Sequence, residues 1–360
     1  MRKGRPLLAA LAGLLATAAG ADSPRAADPV TDPFFAPAQG DTRAVLILND
    51  GRVAAKRYAP GYSDGNRFIS WSMAKTVTAM LLGELVGDGR LQLDAPAPVA
   101  EWRGPGDPRG SITLRHLLTM SSGLRHTEVG EPIENSDTNQ VLFVGGTNGM
   151  AARAIAQPLE ARPGEKFEYS SLTSVILSEI IARTLTASRD PRVRAEAYRR
   201  FAGERLFRPA GIRSAVPEFD GAGTQVGGSI IHMSLPDWGR FGMLLLDGRS
   251  LEGREVVAPE WLRFMKTPAS TKTGYGGQTW LNRAGAGERP MFPGAPPTVA
   301  SAEGHLGQHV TVSPDSGRGR GVVVVRLGNT PEANFRVGNE LIADTLVRRF
   351  PRTRRPAERE

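Results

Sequence analysis

The run Phe68-Ile69-Ser70-Trp71-Ser72-Met73-Ala74-Lys75-Thr76-Val77-Thr78 places a serine three residues before a lysine, where an apolar helix begins. Side chains at i and i+3 share a helix face, so Lys75 is placed to take the Ser72 proton and make the hydroxyl a nucleophile. A helix start also offers unpaired backbone N–H groups and partial positive charge, which favour an acyl oxyanion and depress a lysine pKa. This is the layout of a serine acylation site. With 6 lysines and 21 serines in 360 residues, about a third of such a pair arises by chance, so the surrounding sequence has to decide. Arginine fills nearly every other basic position, and unlike a desolvated lysine it cannot act as a base.

Around that run the chain reads as hairpin, helices, strand, helix. Arg43-Ala44-Val45-Leu46-Ile47-Leu48 and Val53-Ala54-Ala55-Lys56-Arg57-Tyr58 flank an Asp-Gly turn, which predicts a hairpin. Val77, Met80, Leu81 and Leu85 recur at helical spacing and predict a helix over 72–86, stopped by Gly87-Asp88-Gly89. A shorter helix is expected over 112–124, capped by Thr113 and ended near Gly123. Residues 126–150 show no period and read as a long polar loop, placed at the edge of a pocket. Helices follow over 171–186 and 236–246, then a buried strand at 321–327 and a closing helix over 331–347. The Pro/Gly-rich stretch 284–297 is a loop over one edge, and no internal repeat is present.

Composition narrows the class. A chain 40% apolar and 23% charged is ordinary for a globular protein. Of the +8 formal charge, +3 falls in residues 1–21 and +4 in residues 348–360, leaving a nearly neutral body that does not suit nucleic acid. Residues 1–21 have the basic, apolar and small-residue regions of a secretory signal peptide, and the apolar run is too short to span a bilayer. Zero cysteines exclude disulfides, thiolate metal sites and a cysteine nucleophile. A periplasmic or secreted bacterial protein is expected. His305 and His309 have the spacing of a metal pair, but Gly307 between them and the lack of a third ligand argue against zinc, so no metal and no cofactor is expected. There is neither a Gly-x-Ser-x-Gly elbow nor a phosphate-cradling loop. Trp71, Tyr275 and Trp280 are candidate pocket walls.

Ser72-Met73-Ala74-Lys75, then Pro163-Gly164-Glu165-Lys166-Phe167-Glu168-Tyr169-Ser170-Ser171, then Gly304-His305-Leu306-Gly307-Gln308 follow in the order of three elements of a known superfamily. They resemble the SxxK, YxN and KTG motifs of serine β-lactamases and penicillin-binding proteins, and most resemble class C-like esterases and 6-aminohexanoate-dimer hydrolases. Two further stretches add to this: 112–124, and Gly227-Gly228-Ser229 through Asp237-Trp238-Gly239-Arg240-Phe241. The resemblance implies an α+β, β-lactamase/transpeptidase-like fold, an antiparallel sheet flanked by helices with an inserted helical subdomain at roughly 95–230. It implies a hydrolase domain over 41–348, preceded by a linker at 22–40 and followed by a basic tail at 349–360.

Carried onto this chain, the resemblance makes Ser72 the nucleophile, Lys75 its base and Tyr169 the phenol that passes a proton to the leaving group and assists deacylation. A lysine cation beside Tyr169 would lower its pKa. Backbone N–H groups of Ser72 and Gln308 would form the oxyanion hole, with Ser171, His305 and Gly307 binding substrate. Ser171 stands where the family pattern has Asn, and His305 where it has Lys, which weakens recognition of a carboxylate-bearing antibiotic. The function implied is hydrolysis of a small ester or linear amide. A cell-wall D-amino-acid peptidase, a β-lactamase and a catalytically silent binding protein remain as alternatives. The sequence carries no reading of oligomeric state.

Overall fold

The computed structural model describes residues 28–270, 274–285 and 289–353, so the signal segment 1–21 and the end of the basic tail lie outside them. The chain forms β1 (Asp41–Asn49) and β2 (Arg52–Tyr58), then the short β3 (Phe68–Ile69) that leads into α1 (Met73–Gly87). A helical stretch follows: α2 (Leu114–Leu118), α3 (Asp137–Phe143), α4 (Met150–Ile155), α5 (Ser171–Leu185) and α6 (Pro191–Ala202). The chain then returns through β4 (Val216–Pro217), β5 (Ile231–Met233), α7 (Leu235–Asp247) and α8 (Pro259–Met265). It ends with β6 (Trp280–Leu281), β7 (Ala300–Gly304), β8 (Gln308–Ser313), β9 (Val322–Asn329) and α9 (Phe335–Asp344).

Six of these strands make one antiparallel sheet in the order β2-β1-β9-β8-β7-β6. The first hairpin turns at Asp50 and Gly51, both with positive φ, and pairs Asn49 with Arg52. Positive φ at both central residues matches the right-handed twist of the flanking strands, which is why Asp-Gly marks this turn. The central strands are buried on both faces and read as continuous apolar runs. Leu46, Leu48, Val323 and Val325 face the larger core, shared with α1 and α7, while Val45, Ile47, Val322 and Val324 face a smaller one closed by Ile342 and Leu346.

Helix α1 carries the site and is buried on nearly every side, with Met73, Met80, Leu81 and Leu82 fully enclosed. Truncating such a side chain to alanine costs about 2–5 kcal/mol, so the helix start is held firmly. Residues 28–40, read from sequence as part of a linker, are folded onto the sheet. They form two 3-10 turns (Asp32–Phe35 and Pro37–Gln39), with Phe34 buried in the smaller core. The helix expected over 112–124 covers only Leu114–Leu118, because Met120 and Gly123 take positive φ and Gly123 O accepts from Glu160 N at 2.9 Å. Its cap is as expected: Thr113 Oγ1 accepts from His116 N at 3.1 Å, and His116 Nδ1 accepts from Thr113 N at 3.2 Å. A small sheet, β3-β5-β4, was not anticipated; it anchors the chain just before Ser72. Among the described residues no helix is long and apolar enough to cross a membrane.

Candidate active site

Ser72 sits at the N-cap of α1 with helical φ and ψ, and its side chain makes no capping bond. Its hydroxyl is therefore left free of the helix end. The turn before it is fixed by Ser70, whose N–H donates to Ile231 O at 2.8 Å and whose Oγ accepts from Ile231 N at 3.0 Å. Trp71 has φ of +43°, a conformation that costs a bulky residue about 1–3 kcal/mol and recurs at functional sites. That turn lets the Trp71 ring pack edge-on against His305, with ring centres 5.4 Å apart, and near Phe143 at 6.4 Å.

Lys75 is buried, and three oxygens surround its Nζ: Ser72 Oγ at 3.0 Å, Ser171 Oγ at 2.8 Å and Gly228 O at 2.7 Å. The face of the Tyr169 ring lies 4.7 Å away. Burial lowers the Lys75 pKa to about 8, and the carboxylate of Glu128 opposes that shift. A minor but appreciable fraction of this lysine is therefore neutral near physiological pH, the form that can accept a proton, and that fraction grows as pH rises through 8.

Tyr169 reaches the site from the segment before α5, its ring stacked on Trp280 at 5.3 Å and meeting Tyr275 edge-on at 5.8 Å. Its pKa moves opposite to the expectation. Burial raises it well above the usual 10 and Glu128 adds to the rise, while a hydrogen bond with Ser72 works the other way. The neighbouring lysine does not reverse the burial effect, so Tyr169 is a neutral phenol able to donate. Tyr275 is raised in the same way by burial. All three candidate aromatic walls, Trp71, Tyr275 and Trp280, are thus packed at the site or against Tyr169.

Ser171 begins α5. Its Oγ donates to Glu128 Oε1 at 2.7 Å, and its N–H donates to Glu128 Oε2 at 2.6 Å. Glu128 is the residue that sequence reasoning missed. It lies in the aperiodic stretch 126–150, where nothing local distinguishes it from neighbouring polar residues. The structure fixes it from α3: Thr138 Oγ1 donates to Oε2 at 2.7 Å and Ser136 Oγ to the Glu128 carbonyl at 2.7 Å. Nearby, His126 is buried, which lowers its pKa, and its ring is bonded to Ser170 Oγ at 3.0 Å and Ala154 O at 3.2 Å.

The third expected element divides. His305 is exposed at the mouth, on the Trp71 ring. Gly307 and Gln308 are not brought to Ser72. Gly307 faces Arg326 and Thr330, and its carbonyl accepts from Arg326 Nη1 at 2.9 Å. The Gln308 amide turns back to Gly328, donating to its O at 2.7 Å and accepting from its N at 3.0 Å. The residue that meets the serine turn is Gly304, at the end of β7. A Cβ there would stand 2.3 Å from Ser70 O, so only glycine permits the approach. His309 Nδ1 lies 2.5 Å from Glu303 Oε2, away from His305, and among the described residues no group of three candidate metal ligands is found.

Comparison with known proteins agrees with this architecture. Protein Rv1367c of Mycobacterium tuberculosis is 30% identical over 241 residues, covering 56% of this chain and 59% of that protein. The 6-aminohexanoate-dimer hydrolase of Paenarthrobacter ureafaciens is 24% identical over 234 residues, covering 61% of this chain and 56% of that enzyme. The chain thus aligns with under two thirds of the length of these curated relatives. A Bacillus anthracis structure, provisionally assigned as a 6-aminohexanoate-dimer hydrolase, superposes with a TM-score of 0.69 at 21% identity, covering 89% of this chain and 82% of that one. The octameric penicillin-binding protein homologue of Pyrococcus abyssi gives 0.61 at 18%, covering 88% and 77%. At these identities the two structures establish the fold alone. The family model described as Beta-lactamase matches residues 38–347, nearly the whole folded body with its serine, lysine and tyrosine, and the chain belongs to that family.

Proposed function

We propose that this protein is an exported serine hydrolase that cleaves a small ester or linear amide through an acyl-enzyme on Ser72. The observation that carries the reading is a buried Lys75, its pKa lowered to about 8, with Nζ 3.0 Å from a Ser72 hydroxyl that caps nothing. Neutral Lys75 takes the Ser72 proton as Oγ attacks the carbonyl carbon. The tetrahedral intermediate collapses and expels an alcohol or amine, which receives a proton through the Tyr169 phenol. Water, deprotonated by the same lysine with the Tyr169 phenol assisting, then attacks the acyl ester and releases the acid and free Ser72.

Two backbone donors are needed for the oxyanion, and preorganised donors of this kind typically supply about 3–4 kcal/mol each. Ser72 N–H remains one. The second moves from Gln308 to the N–H of His305, which follows the Gly304 that lies against Ser70 O. Gln308 opposes Gly304 across the β7–β8 pair, one strand farther from the serine.

Small neutral substrates fit the electrostatics better than carboxylates. Among the described residues the cation bonded at Ser72 is Lys75, while Glu128 and Glu303 both act on Tyr169 as negative charges. A D-Ala-D-Ala peptidase or β-lactamase needs a cation for the substrate carboxylate, and exposed His305 supplies that weakly. The similarity to a 6-aminohexanoate-dimer hydrolase supports a linear amide. A silent binding protein is disfavoured by the complete hydrogen-bonded set around Lys75.

Turnover of a short p-nitrophenyl ester, a chromogenic cephalosporin, a D-Ala-D-Ala peptide and a linear aminohexanoate dimer, with Ser72→Ala beside the native protein, tests the reading. Activity on the ester or linear amide that vanishes in Ser72→Ala is expected. Retention of more than about a tenth of the native rate in that variant ends the assignment. Export rests on residues 1–21 and is read by sequencing the amino terminus of protein recovered outside the cytoplasm.

A further inference from the structure

A neutral lysine has two N–H donors and one lone pair. For Lys75 to act as a base the lone pair must point at Ser72, so both N–H groups must find acceptors elsewhere. Gly228 O, at 2.7 Å, is an unconditional acceptor. Ser171 Oγ, at 2.8 Å, is conditional, because a hydroxyl can also donate, and a proton aimed at Lys75 would occupy the lone pair meant for Ser72. Glu128 removes that ambiguity. A carboxylate only accepts, so the Ser171 proton is drawn to Oε1 at 2.7 Å and the Ser171 oxygen is left to receive from Lys75.

Resting on the acyl-enzyme reading above, we infer that Glu128 is a positioning residue which, through the Ser171 hydroxyl, aims the Lys75 lone pair at Ser72. The carboxylate is itself held in orientation. Ser171 N–H and Thr138 Oγ1 both donate to Oε2, and Ser136 anchors the Glu128 backbone. This gives the departure from the family's Asn a chemical meaning, since a serine there works as an acceptor only while something takes its proton. The groups that feel the Glu128 charge are Lys75 on α1, Tyr169 before α5, Tyr275 before β6 and His126 in the same loop.

Glu128→Gln is the decisive variant. The two donors at Oε2 retain the amide oxygen there, which turns the NH2 group toward Ser171 Oγ. The amide then donates to Ser171, and the Ser171 proton swings to the Lys75 lone pair. Against the p-nitrophenyl ester, kcat/KM at its pH plateau should fall about 100-fold, within the range of general-base effects, with KM little changed. The acid limb should move below the native one, because the carboxylate that favours charged Lys75 is gone. Ser171→Ala should lose less, and adding Glu128→Gln to it should cost little more, since Glu128 acts through that hydroxyl. Circular dichroism melts report folding. If Glu128→Gln fails to fold, Glu128→Asp takes its place: it retains the charge but shortens the side chain by one methylene, and should show the same rate loss with an unmoved limb. A plateau within about threefold of native in the folded variant, or losses that multiply in the double variant, overturns the inference. Turnover persisting in Ser72→Ala overturns the acyl-enzyme reading instead, whatever Glu128 does.

Discussion

The starts of α1 and α5 meet at Lys75, and both present serines, yet the fold treats their hydroxyls differently. At α5, Ser170 Oγ caps the helix by accepting from Thr173 N at 3.2 Å, and Ser171 Oγ is committed to Glu128 and Lys75. At α1, Ser72 occupies the same cap position without capping anything, and its oxygen is left to Lys75 at 3.0 Å. A nucleophile is a hydroxyl that the local structure does not use. The two helix starts therefore separate stability from chemistry: one set of serines holds the site, and the other reacts.

After loss of the nucleophile itself, substitution at Lys75 should give the largest effect on the reacting side. Lys75→Ala is expected to lower kcat/KM by about 10³-fold or more, as removal of a general base from a coupled pair does. In the native enzyme, kcat/KM should rise with pH as Lys75 loses its proton, with a midpoint near 8. No fall near pH 10 is expected from Tyr169, because burial raises that phenol above its usual range. A descending limb near 10 that disappears in Tyr169→Phe would show that the phenol ionises after all. Tyr169→Phe itself should slow turnover by about 10- to 100-fold, and burst kinetics should show acyl-enzyme accumulating as deacylation becomes limiting. A Tyr169→Phe enzyme with unchanged burst and rate would remove the phenol from the mechanism.

What the sequence made legible follows the same division between local and distant causes. The hairpin, α1, α5 and β9 were readable because period and turn chemistry lie within each segment; α5 was expected over 171–186 and ends at Leu185. Ser72, Lys75, Tyr169 and Ser171 were readable because motif order survives in one dimension, and the structure gathers all four. Glu128 was not, since its importance arises from Ser171, 43 residues away. The third motif was misplaced for a geometric reason. Gly304 and Gly307 stand three apart in sequence, and only the pairing of Gly304 with Gln308 shows which glycine ends the strand beside Ser70. Strands β3, β4 and β5 are two or three residues long, too short for any alternation to register.

The smallest effect belongs to Ser170, and it tests the comparison from the other side. Ser170→Ala removes an N-cap acceptor and one partner of buried His126, whose Nδ1 is then left with Thr173 Oγ1 at 3.4 Å. The loss of the cap should cost about 1 kcal/mol, and the poorer His126 bond somewhat more, for a drop in melting temperature of about 2–4 °C. Because Ser170 touches neither Lys75 nor Ser72 in this arrangement, kcat should stay close to native. Ser72→Ala should show the reverse, with turnover abolished and the melting temperature nearly unchanged, since Ser72 makes no capping bond to lose. A Ser170→Ala variant that keeps its melting temperature but loses turnover would place that hydroxyl in the chemistry and dissolve the distinction between the two helix starts.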